Sequence, residues 1–418
     1  MKHYTSEKLD YDIIIVGGGL VGAGLACALG ELSSGDDKLR IAIVEAIPFR
    51  DAAQPSYDDR NIALSQASYR IFSTLGLWPD IIKAATPIES IYISNRGHFG
   101  AARLHAKDHG VDALGFVAQT RAIGEAFKQR IQNLNNVELI CPASITALDI
   151  NDDHANVTIA QDNHDITLSC ALVIGADGAK SKTRELLGIA SQQHDHGQTA
   201  IVANVTPEKP HNNAAYERFT DSGPLALLPM SEQRCALVYT VWHQQVEEIL
   251  NLSDEEFLER LSTRFGDRLG RLVKVGKRSS YPLALNKAER TLDKRAVLIG
   301  NAAHSLHPVA GQGFNLGVRD IAVLAETIND ALKRNLDIGN ETSLNTFQQW
   351  RRNDQQRIIS FTEGLVSIFS NPLASVKLLR NIGLVGVDLL PPVKRLLARQ
   401  TMGIAGKQPR LARGIPLR

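Results

Sequence analysis

The stretch "YDIIIVGGGLVGAG", Tyr11 to Gly24, constrains the fold more than any other part of the chain. Tyr11 to Val16 is a short apolar run that stops at glycine, the pattern of a strand buried on both faces. Val21 to Leu32 is dense in small residues and predicts a helix. Leu39 to Glu45 predicts a second buried strand, tipped by an acid. Together these segments make one βαβ unit.

Gly17, Gly19 and Gly22 have the spacing G-x-G-x-x-G, and each answers a different steric need. Gly17 allows the tight turn out of the strand, Gly19 lets backbone approach a pyrophosphate, and Gly22 lets helix and strand pack closely. The helix N-terminus offers unpaired N–H groups and a partial positive charge to phosphates. Glu45 sits where an acid bonds a ribose diol. The context therefore predicts dinucleotide binding; a purely structural glycine turn would leave Glu45 without a role. Ile13 to Gly30 is uncharged, but three consecutive glycines suit a lipid-crossing helix poorly, and acids precede it. Neither a membrane span nor an export signal is expected.

Downstream, Ala122 to Ile131 predicts a helix. Ala143–Asp149, Ala155–Ala160 and Asp165–Cys170 predict a meander, and Ala171–Ile174 a further buried strand stopped by "GADG". From Thr199 to Leu285, alternating segments such as "CALVYTVW" predict a mostly antiparallel sheet. An acidic helix, Ser253 to Phe265, interrupts it, with Ser253 as N-cap. Arg295 to Ile299 returns to a buried strand, and the remainder is helical with breaks at Pro372 and Pro391–Pro392.

A net charge of +1 over 418 residues gives no nucleic-acid footprint. The charge is uneven, with seven basic residues and no acid between Pro391 and Arg418. That tail reads either as a solvated end or as a contact for an anionic membrane or acidic partner. Cys27, Cys141, Cys170 and Cys235 lack metal or redox spacing, and buried reduced thiols in a cytoplasmic protein are expected. "HDH" at His194–His196 reads as a polar surface loop.

Two further motifs follow strands: "GADGAKSKTR", Gly175 to Arg184, and "LIGNAAHSLHPVAGQGFNLGVRD", Leu298 to Asp320. His304 and His307 find no third ligand at a convincing spacing, so no metal site is expected.

The order and spacing of the three motifs resemble the flavin-dependent aromatic hydroxylases, single-component FAD monooxygenases shaped like para-hydroxybenzoate hydroxylase. The third motif matches that family's pattern at Gly300, Ala302, Ala303, His304, Pro308, Gly311, Gln312, Gly313, Asn315, Gly317 and Asp320. It departs at Asn301, where an Asp is usual. "DDRNIALS", "FTDSGPLALLPM", "GKRSSYPLAL" and the Gly-Asn pair narrow the resemblance to the ubiquinone-biosynthesis hydroxylases, and within that branch to those of 2-octaprenyl-6-methoxyphenol.

The resemblance implies an α/β fold with a Rossmann-like FAD-binding domain, an inserted mostly antiparallel β-sheet substrate domain and a C-terminal helical region. The expected division is 1–80, 100–190 and 286–355 for FAD, 81–99 and 191–285 for substrate, and 356–418 for the helices and basic tail. It implies FAD contacts at Gly17, Gly19, Gly22, Glu45, Arg60, Arg121, Asp177, Gly300, Asn301, Gly311, Gly313 and Asn315. NADH or NADPH would be a transient cosubstrate, because only one G-x-G-x-x-G exists. A polyprenyl phenol and O₂ would react through a flavin C4a-hydroperoxide. Pro308 would line the reacting space, and His304, Gln312 and Tyr281 are candidates to bond the substrate hydroxyl. A bilayer-resident substrate implies peripheral contact with the inner membrane or a ubiquinone-biosynthesis complex. A prenyl-lipid reductase or dehydrogenase, and a flavin-free prenyl carrier of the same fold, remain alternatives. A halogenase does not, since Trp78, Trp242 and Trp350 stand apart.

Overall fold

The computed structural model describes residues 9–34, 37–48, 61–305, 312–370 and 374–417. The expectations for Arg60, Pro308 and Gly311 lie outside these residues, as does the side chain of Gln312.

The first body is an eight-stranded sheet whose centre is parallel. Tyr11–Val16 lies between Ile41–Val44 and the long strand His164–Gly175, and Val137–Ile140 continues the parallel order beyond Ile41–Val44. The run Asp165–Ile174, expected as two strands, is part of this one strand. Its first half pairs antiparallel with Ala155–Gln161, and its second half pairs parallel with Tyr11–Val16 and Ala296–Leu298. One chain segment thus carries the meander into the parallel core. Helices Leu20–Leu29, Thr120–Gln132 and Gln312–Lys333 cover one face, closing an apolar core that includes Ile13, Ile15, Leu25, Phe127 and Ile321.

The second body is a nine-stranded sheet. Its spine is Ser279–Ala288, Ser191–Pro207, Cys235–Trp242, Gly223–Pro229 and Ala214–Thr220, all antiparallel neighbours. Ser90–Asn95 then joins Ala214–Thr220 in parallel, and Ala101–His105 pairs with Ser90–Asn95. Ala101–His105, counted with the FAD domain from sequence, is therefore an edge of this sheet. "HDH" lies in the Ser191–Pro207 strand rather than in a loop, beside a bulge between Asp195 and Gln198.

Strand alternation sorts this sheet into two apolar faces. Leu225, Leu227, Leu237, Tyr239 and Val241 face helix Asp254–Phe265 and pack on Phe257, Leu261 and Phe265. A reciprocal capping box holds that helix: Ser253 Oγ accepts from Glu256 N at 3.2 Å, and Glu256 Oε2 accepts from Ser253 N at 2.8 Å. The alternate residues, Ala200, Val202, Ala226, Leu228 and Val238, face a cavity.

Helices Glu341–Ser370, Ala374–Leu389 and Pro391–Thr401 follow. The later part of the basic tail is not a solvated end, although Arg395, Leu396 and Arg399 on helix Pro391–Thr401 are exposed. Residues 402–417 return to the first body, where Leu411 and Ala412 are buried in its core. Arg410 donates to Glu326 at 3.2 Å and to Asp330, so the acidic partner it meets is a helix of its own chain. Burial pushes the thiols of Cys27, Cys170 and Cys235 up to about 12, which leaves them protonated and unreactive at neutral pH.

Candidate active site

The first motif turns where the chain leaves the Tyr11–Val16 strand. Gly17 adopts φ +103°, and a Cβ there would lie 2.6 Å from the Ala176 carbonyl oxygen. A Cβ on Gly22 would lie 1.9 Å from the Gly17 oxygen, so side chains at either position would break the turn. Gly19 begins helix Leu20–Leu29 with no side-chain cap and no acid in the first turn. The first-turn N–H groups have no intrahelical acceptor, and Gly19, Leu20 and Val21 line the cavity, as phosphate binding requires. Buried Glu45 accepts from Gly18 N at 2.5 Å through one oxygen and from Ile47 N at 2.8 Å through the other. It braces the glycine loop, and each oxygen keeps a second lone pair for a hydroxyl.

The second motif is a clasp. One Asp177 oxygen accepts from Ser181 Oγ, and the other from Thr183 N at 2.9 Å and Thr183 Oγ1 at 3.0 Å. Arg184 then donates to Ala179 O and to Ala302 O, both at 2.9 Å, tying this turn to the third motif. Gly178 lines the cavity, and a Cβ there would meet nothing within 4 Å.

The third motif follows Ala296–Leu298. Gly300 takes φ +56° and starts a short turn. Its Cα and that of Gly317 close on the same neighbour: added Cβ atoms would lie 3.0 and 2.9 Å from Val21 Cγ2. Asn301 is exposed and lines the cavity, as do Gly313 and Asn315. Around Gly313 an added Cβ would meet nothing within 4 Å, so bare backbone faces open space. Buried Asn315 also anchors the preceding wall, accepting from Ser65 N at 2.8 Å and Ser68 Oγ at 2.7 Å and donating to Ala63 O at 2.8 Å. These empty approaches and unspent donors suit a flavin dinucleotide.

His304 is buried and is not on the cavity wall. It lies in a two-residue strand that pairs with the edge of the second sheet, Lys287 opposite His304, and its Nε2 is 2.7 Å from Asp320. Asp320 is a hub that sequence reasoning missed. It also accepts from Gly300 N at 3.0 Å and from Arg351 Nε at 2.6 Å. Burial alone would raise its carboxyl, but the Arg351 guanidinium and His304 outweigh that and hold it well below the usual carboxylate range. Arg351 bonds Asp354 as well, and Arg319 links Asp354 at 2.7 Å to Gly403 O at 2.6 Å in the returning tail. Among the described residues no His, Cys, Asp or Glu cluster is placed to hold a metal.

The cavity measures about 580 Å³ and runs from this glycine floor across the free apolar face of the second sheet. Tyr281, opposite Ala200 in the sheet, is on its wall. Glu217 is the only charged residue on the wall among those described. Arg121 is exposed on the first turn of its helix, whose leading residue, Thr120, lines the cavity. Of the candidate catalytic side chains that are described, the structure brings Tyr281 to the chamber and holds His304 behind its floor. Alternation in the strands could have signalled the chamber wall; nothing local signalled Arg351 as the partner of Asp320.

The FAD-binding-domain family model matches residues 10–362. The ubiquinone hydroxylase UbiL of Rhodospirillum rubrum is 38% identical over 97% of this chain and 93% of its own. UbiM of Neisseria meningitidis, also a ubiquinone hydroxylase, is 31% identical over 95% of this chain and 85% of its own. Among solved structures, p-nitrophenol 4-monooxygenase of Pseudomonas putida superposes with a TM-score of 0.77 at 19% identity, covering 95% of this chain and 98% of the other. With FAD as its cofactor and NAD(P)H as electron donor, the chain belongs to the flavin-dependent monooxygenases of the FAD-binding-domain family, in the branch of the ubiquinone-biosynthesis hydroxylases.

Proposed function

We propose that the protein hydroxylates the aromatic ring of a polyprenyl phenol. The observation that carries this reading is the shape of the cavity: a glycine floor suited to a flavin ring opens onto a sheet face walled by Ile91, Val202, Leu228, Val238 and Leu283. An aromatic head would stand at the floor while an apolar tail lies along the sheet, removing its surface from water at about 25 cal/mol per Å².

Bound FAD, reduced by NAD(P)H, supplies the activation of oxygen. The chain's own residues do the rest. The Leu20–Leu29 N-terminus would take the pyrophosphate and Glu45 the ribose. The backbone at Asn301 and from Gly313 to Gly317 lines the cavity where the ring system would lie, and the start of helix Gln312–Lys333 would direct its N-terminal dipole there. The apolar wall excludes water, and the Tyr281 hydroxyl bonds the substrate's ring hydroxyl.

The test is product analysis with a short-chain prenyl phenol, NAD(P)H and ¹⁸O₂. The expected product carries one labelled hydroxyl. Oxidation of NAD(P)H with a reduced, unlabelled lipid would instead establish a reductase. Tyr281→Phe should retain FAD and lose roughly threefold to tenfold in kcat/KM, the worth of one hydrogen bond.

A further inference from the structure

The C-terminal helices present an apolar surface that no other described element covers. In helix Ala374–Leu389 the inward side is buried Asn381 and Leu384, the latter packed with Ile93, Ala102 and Phe219. Ile382 and Leu389, two turns apart, point the other way and are 52% and 71% exposed. Helix Pro391–Thr401 buries Ala398 and leaves Leu396 67% exposed, with Leu390 and Val393 exposed between. The inward side is fixed because Gly100 packs on the Asn381 carbonyl oxygen and Asn95 Nδ2 donates to Asn381 Oδ1 at 3.1 Å. Single exposed hydrophobic residues are ordinary, but five large ones between Ile382 and Leu396 on one elbow mark a contact surface.

Its rim is basic. Arg395 and Arg399 flank Leu396, while Lys394 and Arg103 share one carboxylate, Asp388, at 3.7 and 3.6 Å. Aliphatic tips within a cationic rim complement an anionic lipid surface, where apolar side chains enter at headgroup depth and cations meet phosphates. No described helix is long and apolar enough to cross a membrane, so such contact would lie in the interface plane. The same helices close one end of the cavity. Thr401 lines it directly, and the wall residues Ile91 and Ile93 pack behind it on Leu384, Val387 and Leu397.

We infer that the elbow around Leu389–Leu396 docks the protein on an anionic bilayer and sets the Thr401 end of the chamber at the lipid surface. The docking follows from the elbow itself, while the use of that chamber end by a bilayer-resident tail rests on the polyprenyl reading.

The experiment is co-sedimentation of the FAD-loaded full chain with phosphatidylglycerol–phosphatidylcholine vesicles. Binding should exceed that to pure phosphatidylcholine and weaken with salt. Leu389→Asp/Leu396→Asp and, separately, Arg395→Glu/Arg399→Glu should each lower it roughly tenfold or more. Both should keep FAD content and turnover of a water-soluble short-chain phenol, and lose turnover of a long-chain phenol embedded in vesicles. Unchanged vesicle binding in both variants, or equal binding to neutral vesicles, overturns docking. So does a dimer that Leu389→Asp/Leu396→Asp splits, in a protein that binds no vesicles. A wild type that binds anionic vesicles but hydroxylates no prenyl phenol would sink the substrate reading and leave the docking standing.

Discussion

Nε2 of His304 lies 2.7 Å from Oδ2 of Asp320, and neither side chain touches the cavity. Because Asp320 is held ionised, it can only accept, so Nε2 carries the proton. The same carboxylate grips Gly300 N at the turn bearing Asn301. A histidine that the sequence offers as a substrate contact and an aspartate it offers only as a motif match together fasten the Gly300 turn to the helix behind it.

Asp320→Asn should therefore act on the fold and on the floor together. It leaves Arg351 buried with half its compensation, and unpairing a buried ion pair costs about 3–5 kcal/mol. A lower urea midpoint and a weaker FAD dissociation constant are expected. Unaltered values of both would show that the hub is dispensable.

Stability should also fall in acid. Asp320 and Asp354 both titrate below their ordinary range, each against its burial, chiefly through Arg351. The unfolded chain takes up these protons first, near pH 4. The contribution is complete above about pH 5 and declines as pH drops toward the folded values, by at most about 2.7 kcal/mol per unit for two protons. Urea melts between neutral pH and pH 3 would measure the slope, and Asp320→Asn should flatten it.

Gly17→Ala should lose flavin. The methyl group would sit in left-handed backbone and against the Ala176 oxygen, a strain of about 1–3 kcal/mol relieved only by moving the loop that receives the pyrophosphate. Flavin absorbance of the purified variant, and its recovery on titrating FAD, should show affinity reduced roughly tenfold or more.

Asn301→Asp should keep FAD. The side chain is exposed on the cavity wall, and an amide and a carboxylate share the acceptor that a ribityl hydroxyl needs. Fluorescence titration should place the variant within roughly tenfold of the parent. Complete loss of flavin would mean that Asn301 serves through its N–H₂ donor.

The glycine motifs could be read from sequence because their requirements are local: a turn, a close approach and a helix start each name a residue type. Other features depended on distant partners. The strand ending at Gly175 looked like two because its halves obey different neighbours. Arg410 looked like part of a solvated charge run because Glu326 and Asp330 are some eighty residues away. "CALVYTVW" predicts a strand, but its alternation does not say which face is filled by Phe257 and Leu261 and which lines the cavity.

Val21 touches both Gly300 and Gly317 from the first turn of the helix that receives the pyrophosphate. One branched side chain therefore works as a spacer between the helix start that would receive the pyrophosphate and the glycines that would lie near the ring. Adding bulk at 21 would lengthen the gap between phosphate seat and ring seat, and trimming it would let them drift together. A single valine thus sets how closely the first and third motifs approach each other.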